Sequence, residues 1–289
     1  MRYLILILLS INTLTLNAQF FRKYKKTKVS YNQGTYFGYL GINRAYYTKA
    51  NLRFTGPLYN ITYKESLIHD NPAPFTKNNY LSKHPLISPQ FSWKIGYYVK
   101  NNFAVSLGYD RFKYYLRNRS RVFLVGVVDP TADSKNYGKF DGAEHIVDTA
   151  VINYQNSMNY YHLDFSWTTP WYKKKSGSKL GFSSDFGIGA GPIISKNSFL
   201  FGGEKDTLTK SLSGGGISIY VGNRLELKDR IFFQLNLSSG LLFQTHVRTR
   251  NENAFSYSTQ NIGYASLSFS IGLFLYGRTI NGCDTCPEW

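Results

Sequence analysis

The sequence predicts an all-β chain, a transmembrane antiparallel up-and-down β-barrel of about eight strands, or ten if two further segments join the ring. Three observations predict it. Hydrophobicity alternates with period two, long and short connections take turns between the alternating segments, and an export signal stands at the N-terminus.

The signal comes first in the chain. Met1-Arg2 gives a positive start, Leu4 to Leu16 is an apolar run, and Leu16-Asn17-Ala18 ends on a small residue before Gln19. That order is the grammar of secretion, and the run is too short to cross a bilayer. No cysteine follows it, which excludes a lipoprotein anchor. The predicted division is a signal peptide over 1–18, a basic lead-in over 19–33, a barrel over 34–280 and a tail over 281–289. No apolar run approaches the roughly 20 residues of a spanning helix. A mean hydropathy of −0.30 suits a barrel that turns only every second strand residue to lipid.

The strands follow from the alternation. After an aromatic first segment around Thr35–Arg44, Phe91, Trp93, Ile95, Tyr97 and Val99 oppose Ser92, Lys94 and Gly96. Phe103, Val105, Leu107 and Tyr109 oppose Ala104, Ser106, Gly108 and Asp110. Tyr161, Leu163, Phe165 and Trp167 oppose His162, Asp164 and Ser166. Phe182, Phe186 and Ile188 oppose Ser183, Asp185 and Gly187. Ile217, Ile219, Leu225 and Leu227 oppose Ser218, Tyr220, Arg224 and Glu226. The last two segments, Ile231–Phe243 and Ala265–Leu275, alternate most cleanly. Each reads as a strand with lipid on one side and a packed lumen on the other.

Short turns are expected at Lys100-Asn101-Asn102, Lys173–Lys179 and Lys228-Asp229-Arg230, and long connections over 45–88, 119–156, 201–214 and 249–258. That asymmetry belongs to outer-membrane barrels and puts both termini in the periplasm. Leu52–Lys64 and Val122–Val128, inside the first two long connections, are strand-like. They form hairpins above the membrane or supply the ninth and tenth strands.

The phrases Tyr36-Phe37-Gly38-Tyr39, Asn43-Arg44-Ala45-Tyr46-Tyr47-Thr48-Lys49, Ile95-Gly96-Tyr97-Tyr98 and Phe140-Asp141-Gly142-Ala143-Glu144-His145-Ile146-Val147 resemble uncharacterised outer-membrane barrels of Bacteroidota. The resemblance implies the fold and the location. It transfers no catalytic residues.

Inward parity selects the candidate site: Lys94, Asp110, His162, Asp164, Asp185, Arg224 and Glu226. The interior of a small barrel is just wide enough for side chains, and charges buried there must pair. The expectation is a charge network that fills the lumen, with Arg224 opposite Glu226 or Asp185. A narrow ion path is the alternative. His162, Asp164 and Ser166 also suggest a hydrolase, but same-face neighbours on one strand lie about 6.6 Å apart, so a nucleophile and its base need adjacent strands. The lumen-facing glycines Gly187, Gly189 and Gly191 make room for large side chains opposite, and Gly214-Gly215-Gly216 reads as the edge of a loop. Tyr97, Tyr98, Tyr114, Tyr115, Trp167, Trp171, Tyr172 and Tyr276 read as interfacial girdles.

Cys283 and Cys286 in the tail suit a local disulfide in an oxidising compartment. Asp148-Thr149-Ala150 and Asp206-Thr207-Leu208 look like a short O-glycosylation motif. A formal charge of +17 is, in an exported chain, a match for lipid phosphates rather than for nucleic acid. Outer-membrane lipids, lipopolysaccharide and envelope proteins are the expected partners. No enzyme activity, cofactor or metal is expected. The chain reads as a structural or interaction protein of the outer membrane that works through surface loops.

Overall fold

The computed structural model describes residues 33–73, 76, 86, 88–134, 136–173, 180–227, 230–253 and 255–276. The predicted signal peptide, most of the basic lead-in, Lys174–Lys179, Lys228-Asp229 and the tail with Cys283 and Cys286 lie outside the described residues.

Thirteen strands stand in chain order among the described residues: β1 (Thr35–Tyr47), β2 (Ala50–Gly56), β3 (Tyr59–Ser66), β4 (Ile68–Asp70), β5 (Phe91–Lys100), β6 (Phe103–Leu116), β7 (Arg121–Val128), β8 (Gly138–Ile146), β9 (Ile152–Lys173), β10 (Leu180–Phe201), β11 (Glu204–Leu227), β12 (Ile231–Arg248) and β13 (Tyr257–Tyr276). Eight of them close a ring, β1-β5-β6-β9-β10-β11-β12-β13, with β13 returning to β1. Every neighbour pair in the ring is antiparallel. The closing register runs from Thr35↔Tyr276 to Tyr47↔Tyr264, so neither strand leaves a long free edge. The count is therefore eight and not ten.

The ring folds as it does because its alternation matches the pleat. Leu40 is 63% exposed and Ile95 62%, and the outward row continues through Leu163, Phe186, Ile219, Leu237 and Ile271. Such a surface is costly in water and suits lipid. On β9 this belt runs from Tyr172 to Tyr161, a length that at the usual strand rise and tilt crosses roughly 25–30 Å, the apolar core of a bilayer. Trp167 and Tyr172 mark one border; Trp93, Tyr109 and Tyr161 mark the other, with Trp93 stacked on Tyr109 at 5.9 Å. Three residues expected in the girdles do not belong there: Tyr98 and Tyr114 have inward parity and are fully buried in the interior, and Tyr115 pairs with Gln155, beyond the border at Tyr109 and Tyr161.

The strand ends that flank the three expected short turns lie at one end of the ring, the turn end. At the opposite, loop end the structure replaces much of the expected loop with sheet. β9 to β13 run on past the belt, and β2 pairs with β13 at Arg53↔Thr259, Phe54↔Ser258 and Thr55↔Tyr257, beyond the point where β1 has left it. β3, β7 and β8 extend this sheet, and β4 pairs with β6. The strand-like segments 52–64 and 122–128 are thus hairpin strands of a second storey.

The expected long connection over 201–214 is instead a two-residue turn. Gly202 at φ 63° and Gly203 at φ 84° take the left-handed pair of angles that matches the twist of a hairpin. Gly214-Gly215-Gly216 accordingly lies inside β11, paired with β10 and β12, and is not a loop edge.

The storey has an apolar interior. Phe54 stacks on Phe199 at 4.9 Å, Tyr154 meets Phe54 edge-on at 5.2 Å, and Tyr59 meets Phe201 at 4.9 Å. Leu52, Ile61, Val122 and Ile152 complete the packing.

Candidate functional site

The lumen holds all seven charged residues that parity selected, and it sorts them into two groups. Nearest the turn end, Arg224 on β11 is 1% exposed. Its Nη2 ion-pairs with Asp185 on β10, Nη1 donates to the Tyr98 hydroxyl at 3.1 Å, and Nε donates to Gln234 Oε1 at 3.0 Å. The guanidinium also lies 4.4 Å from the Phe232 ring centre, with Phe37 and Phe274 beyond it. Asp185 accepts a second bond from Thr168 Oγ1 at 2.6 Å, and Thr168 bonds the Tyr98 hydroxyl at 2.9 Å. Glu226 takes the Ser183 hydroxyl at 2.9 Å. Asp185, rather than Glu226, is therefore the ion-pair partner of Arg224.

The second group stands halfway up. Lys94 on β5 reaches Asp164 at 2.5 Å and lies 3.8 Å from the Tyr220 ring centre. His162 is two residues from Asp164 on the same face of β9. The ring bends to place Nδ1 2.6 Å from Asp164 and Nε2 3.2 Å from Asp110 on β6. Tyr160 stacks on the imidazole at 4.7 Å. Each ionised group has a partner of opposite or complementary character, which a buried charge requires.

Glycines provide the space. A Cβ on Gly108 would stand 2.2 Å from His162 and one on Gly187 2.4 Å from Tyr220, so these strand neighbours must lack side chains. The void beside this group measures about 30 Å³ and is lined by Tyr39, Lys94, Asp110, His162, Ser218 and Tyr220 among others. That is room for about two waters.

Above the charges the lumen stays filled. Phe112, Met158, Tyr160, Ile193, Leu242 and Tyr264 pack across it. A deck of amides and phenols from four ring strands follows. Tyr114 donates to Gln244 at 3.1 Å, Asn156 to Tyr114 at 3.0 Å, and Gln260 to Gln244 at 2.7 Å and to Tyr154 at 3.0 Å.

The hydrolase constellation is not assembled. Both ring nitrogens of His162 face carboxylates, which leaves none for the Ser166 hydroxyl. Among the described residues no group of three or more His, Cys, Asp or Glu is placed to hold a metal ion. Charge parity alone missed Tyr98, Thr168, Gln234 and Tyr220. They share inward parity with the charges, and that parity was the signal that could have found them.

The loop end carries a larger hollow of about 260 Å³, lined by Tyr59, Phe201, Glu204, Asp206, Arg250 and Glu252 among others. Arg250 is held by the Phe201 carbonyl at 3.1 Å, the Glu204 carbonyl at 3.0 Å and Asp206 at 3.2 Å. On β4, burial pushes the Asp70 carboxyl above its usual range, against the pull of a Gln90 hydrogen bond and of Arg44 at 3.8 Å.

No protein-family model matches the chain, and no curated protein matches it. Among solved structures it is similar to the outer membrane protein OprG from Pseudomonas aeruginosa, with 9% identity over 86% of this chain and 98% of that one and a TM-score of 0.38. It is similar to the outer membrane protein AlkL at 12% identity, 90% and 99% coverage and a TM-score of 0.35. It is also similar to the outer membrane protease OmpT from Escherichia coli at 10% identity, 87% and 99% coverage and a TM-score of 0.35. These likenesses concern the fold alone.

Proposed function

We propose that this chain is an integral outer-membrane barrel with a closed lumen, without catalytic activity, which acts as a structural or interaction protein through its loop-end storey. One observation carries the reading. From the turn end upward, the interior passes through an arginine–aspartate network, a lysine–histidine–aspartate network, an aromatic layer, an amide deck and an aromatic core. The gap beside the lysine–histidine–aspartate group is about 30 Å³. Solute has no continuous way through such a column, and the surface left for recognition is the storey above the belt. The loop end is read as facing outward and both termini as facing the periplasm, from the length asymmetry of the connections.

The rival reading is a narrow path for small ions. It is favoured by buried Asn43, Ser92, Ser106 and Ser270, whose side chains have no partner among the described residues and which water could serve. Planar-bilayer recording of the purified barrel separates the two. The closed reading predicts no steady conductance steps at any voltage the bilayer tolerates. Reproducible open-channel steps would replace it with the ion path.

A further inference from the structure

The outward face of the loop end carries a row that the fold leaves unbalanced. The registers place Lys113 on β6 opposite Ser157 on β9, Ser157 opposite Lys196 on β10, and Lys196 opposite Lys210 on β11. One same-face step toward the belt lie Arg111, Asn159, Ile194 and Leu212, the last 68% exposed. One step further lies the girdle of Tyr109 and Tyr161.

One end of the row is built into the protein. Lys113 donates to the Leu86 and Ser88 carbonyls at 2.9 Å each, and Arg111 donates to the Ser88 hydroxyl at 2.6 Å. The other end is not. Lys196 is half-buried and Lys210 exposed, directly opposite each other, and among the described residues neither has a carboxylate within 4.0 Å. Like charges facing each other across an antiparallel pair destabilise it. Next to them Ser157 is fully buried, and its hydroxyl has no partner among the described residues.

We infer that Lys196 and Lys210 hold the phosphomonoester of a membrane lipid in the leaflet at the loop end. The inference rests on the bilayer reading above. Three arguments support it. The first is height: two same-face steps along a tilted strand raise the row about 10 Å above the girdle, into the head-group layer, and lysine stems can reach back down. The second is spacing: opposed Cβ atoms about 5 Å apart let two ammonium groups bracket one phosphate. The third is charge: a phosphomonoester carries close to two negative charges near neutral pH, which two lysines match, whereas a phosphodiester carries one.

The test uses the full mature chain, purified in detergent. Bound lipid is counted by native mass spectrometry after titration with monophosphoryl lipid A, with phosphatidylglycerol, or with inorganic phosphate alone. The unmodified chain should retain one monophosphoryl lipid A in preference to phosphatidylglycerol, and free phosphate should not displace it. Lys196→Gln with Lys210→Gln should weaken retention by roughly tenfold or more, the scale of two charges removed from an anionic lipid surface. Lys139→Gln, on the distant edge strand β8, should leave it unchanged.

Equal retention by the double variant would overturn the site. Equal binding of phosphatidylglycerol would overturn the monoester assignment, and displacement by free phosphate would overturn the membrane source. Heat-modifiable gel mobility and insertion into phosphatidylcholine vesicles check that each variant is folded. An unmodified chain that enters no vesicle would overturn the bilayer reading itself, and that result is distinct from all the others.

Discussion

The belt and the storey above it are made from the same strands with opposite chemistry. In the belt, β9 turns Leu163, Phe165 and Trp167 outward and His162, Asp164 and Thr168 inward. Above it, the same strand turns Asn153 and Gln155 outward and Ile152 and Tyr154 inward. β10 repeats the exchange: Phe186 and Ile188 face out beside buried Asp185, then Lys196 and Ser198 face out beside buried Phe199 and Phe201. Side-chain parity continues through the change, but the preferred chemistry of each face reverses within a residue or two of Tyr160 and Tyr161. The reversal shows that the pleat decides which residues share a face, while the surroundings decide which face is apolar. It also fixes the upper membrane border inside continuous strands rather than at their ends.

The largest effects should come from the two interiors. Arg224→Ala strands Asp185 in the lumen without its cation and should cost about 3–5 kcal/mol. Phe199→Ala removes a ring stacked on Phe54 and should cost about 3–5 kcal/mol as well, through a cavity rather than a charge. Urea unfolding in lipid vesicles reads both. If the interiors differ as described, the first variant should weaken the barrel and the second should loosen the storey while the barrel keeps its heat-modifiable mobility. Loss of the whole fold by Phe199→Ala would mean that the two regions are not separable.

The outer faces sharpen the same contrast. Ile271→Arg places a charge in the belt and should cost about 2–4 kcal/mol if that position is near mid-membrane. Ser198→Arg, outward on the storey, should change stability by less than about 0.5 kcal/mol. Equal costs at the two positions would show that they meet the same solvent.

Much of the ring was legible because period two is a strong signal when one side meets lipid and the other a packed lumen. Parity alone brought all seven charged residues to the interior. It could not pair them, since Arg224 has Asp185 on one neighbouring strand, Gln234 on the other and Tyr98 across the lumen, and only the closed ring sets those distances. The stretch over 201–214 was misread for a related reason. Above the belt the outward positions Lys205, Thr207 and Lys210 are polar, so the segment no longer looks like a lipid-facing strand although it is one continuous hairpin with β10. Tyr98 and Tyr114 were misplaced because aromatic character does not distinguish an interfacial ring from one that caps an arginine or an amide.

A depth profile along one strand tests the account most directly. Single nitroxide labels would be placed on β10 at Phe186, Ile188, Ala190, Ile194, Ser198 and Leu200, one at a time, in lipid vesicles with Cys283 and Cys286 replaced by serine. The account predicts high oxygen and low nickel-chelate accessibility from Phe186 to Ala190, and a crossover near Ile194. At Ser198 and Leu200 it predicts accessibility to the chelate. Uniform accessibility to the chelate along the whole strand would contradict the membrane belt, and uniform burial in lipid would contradict the storey.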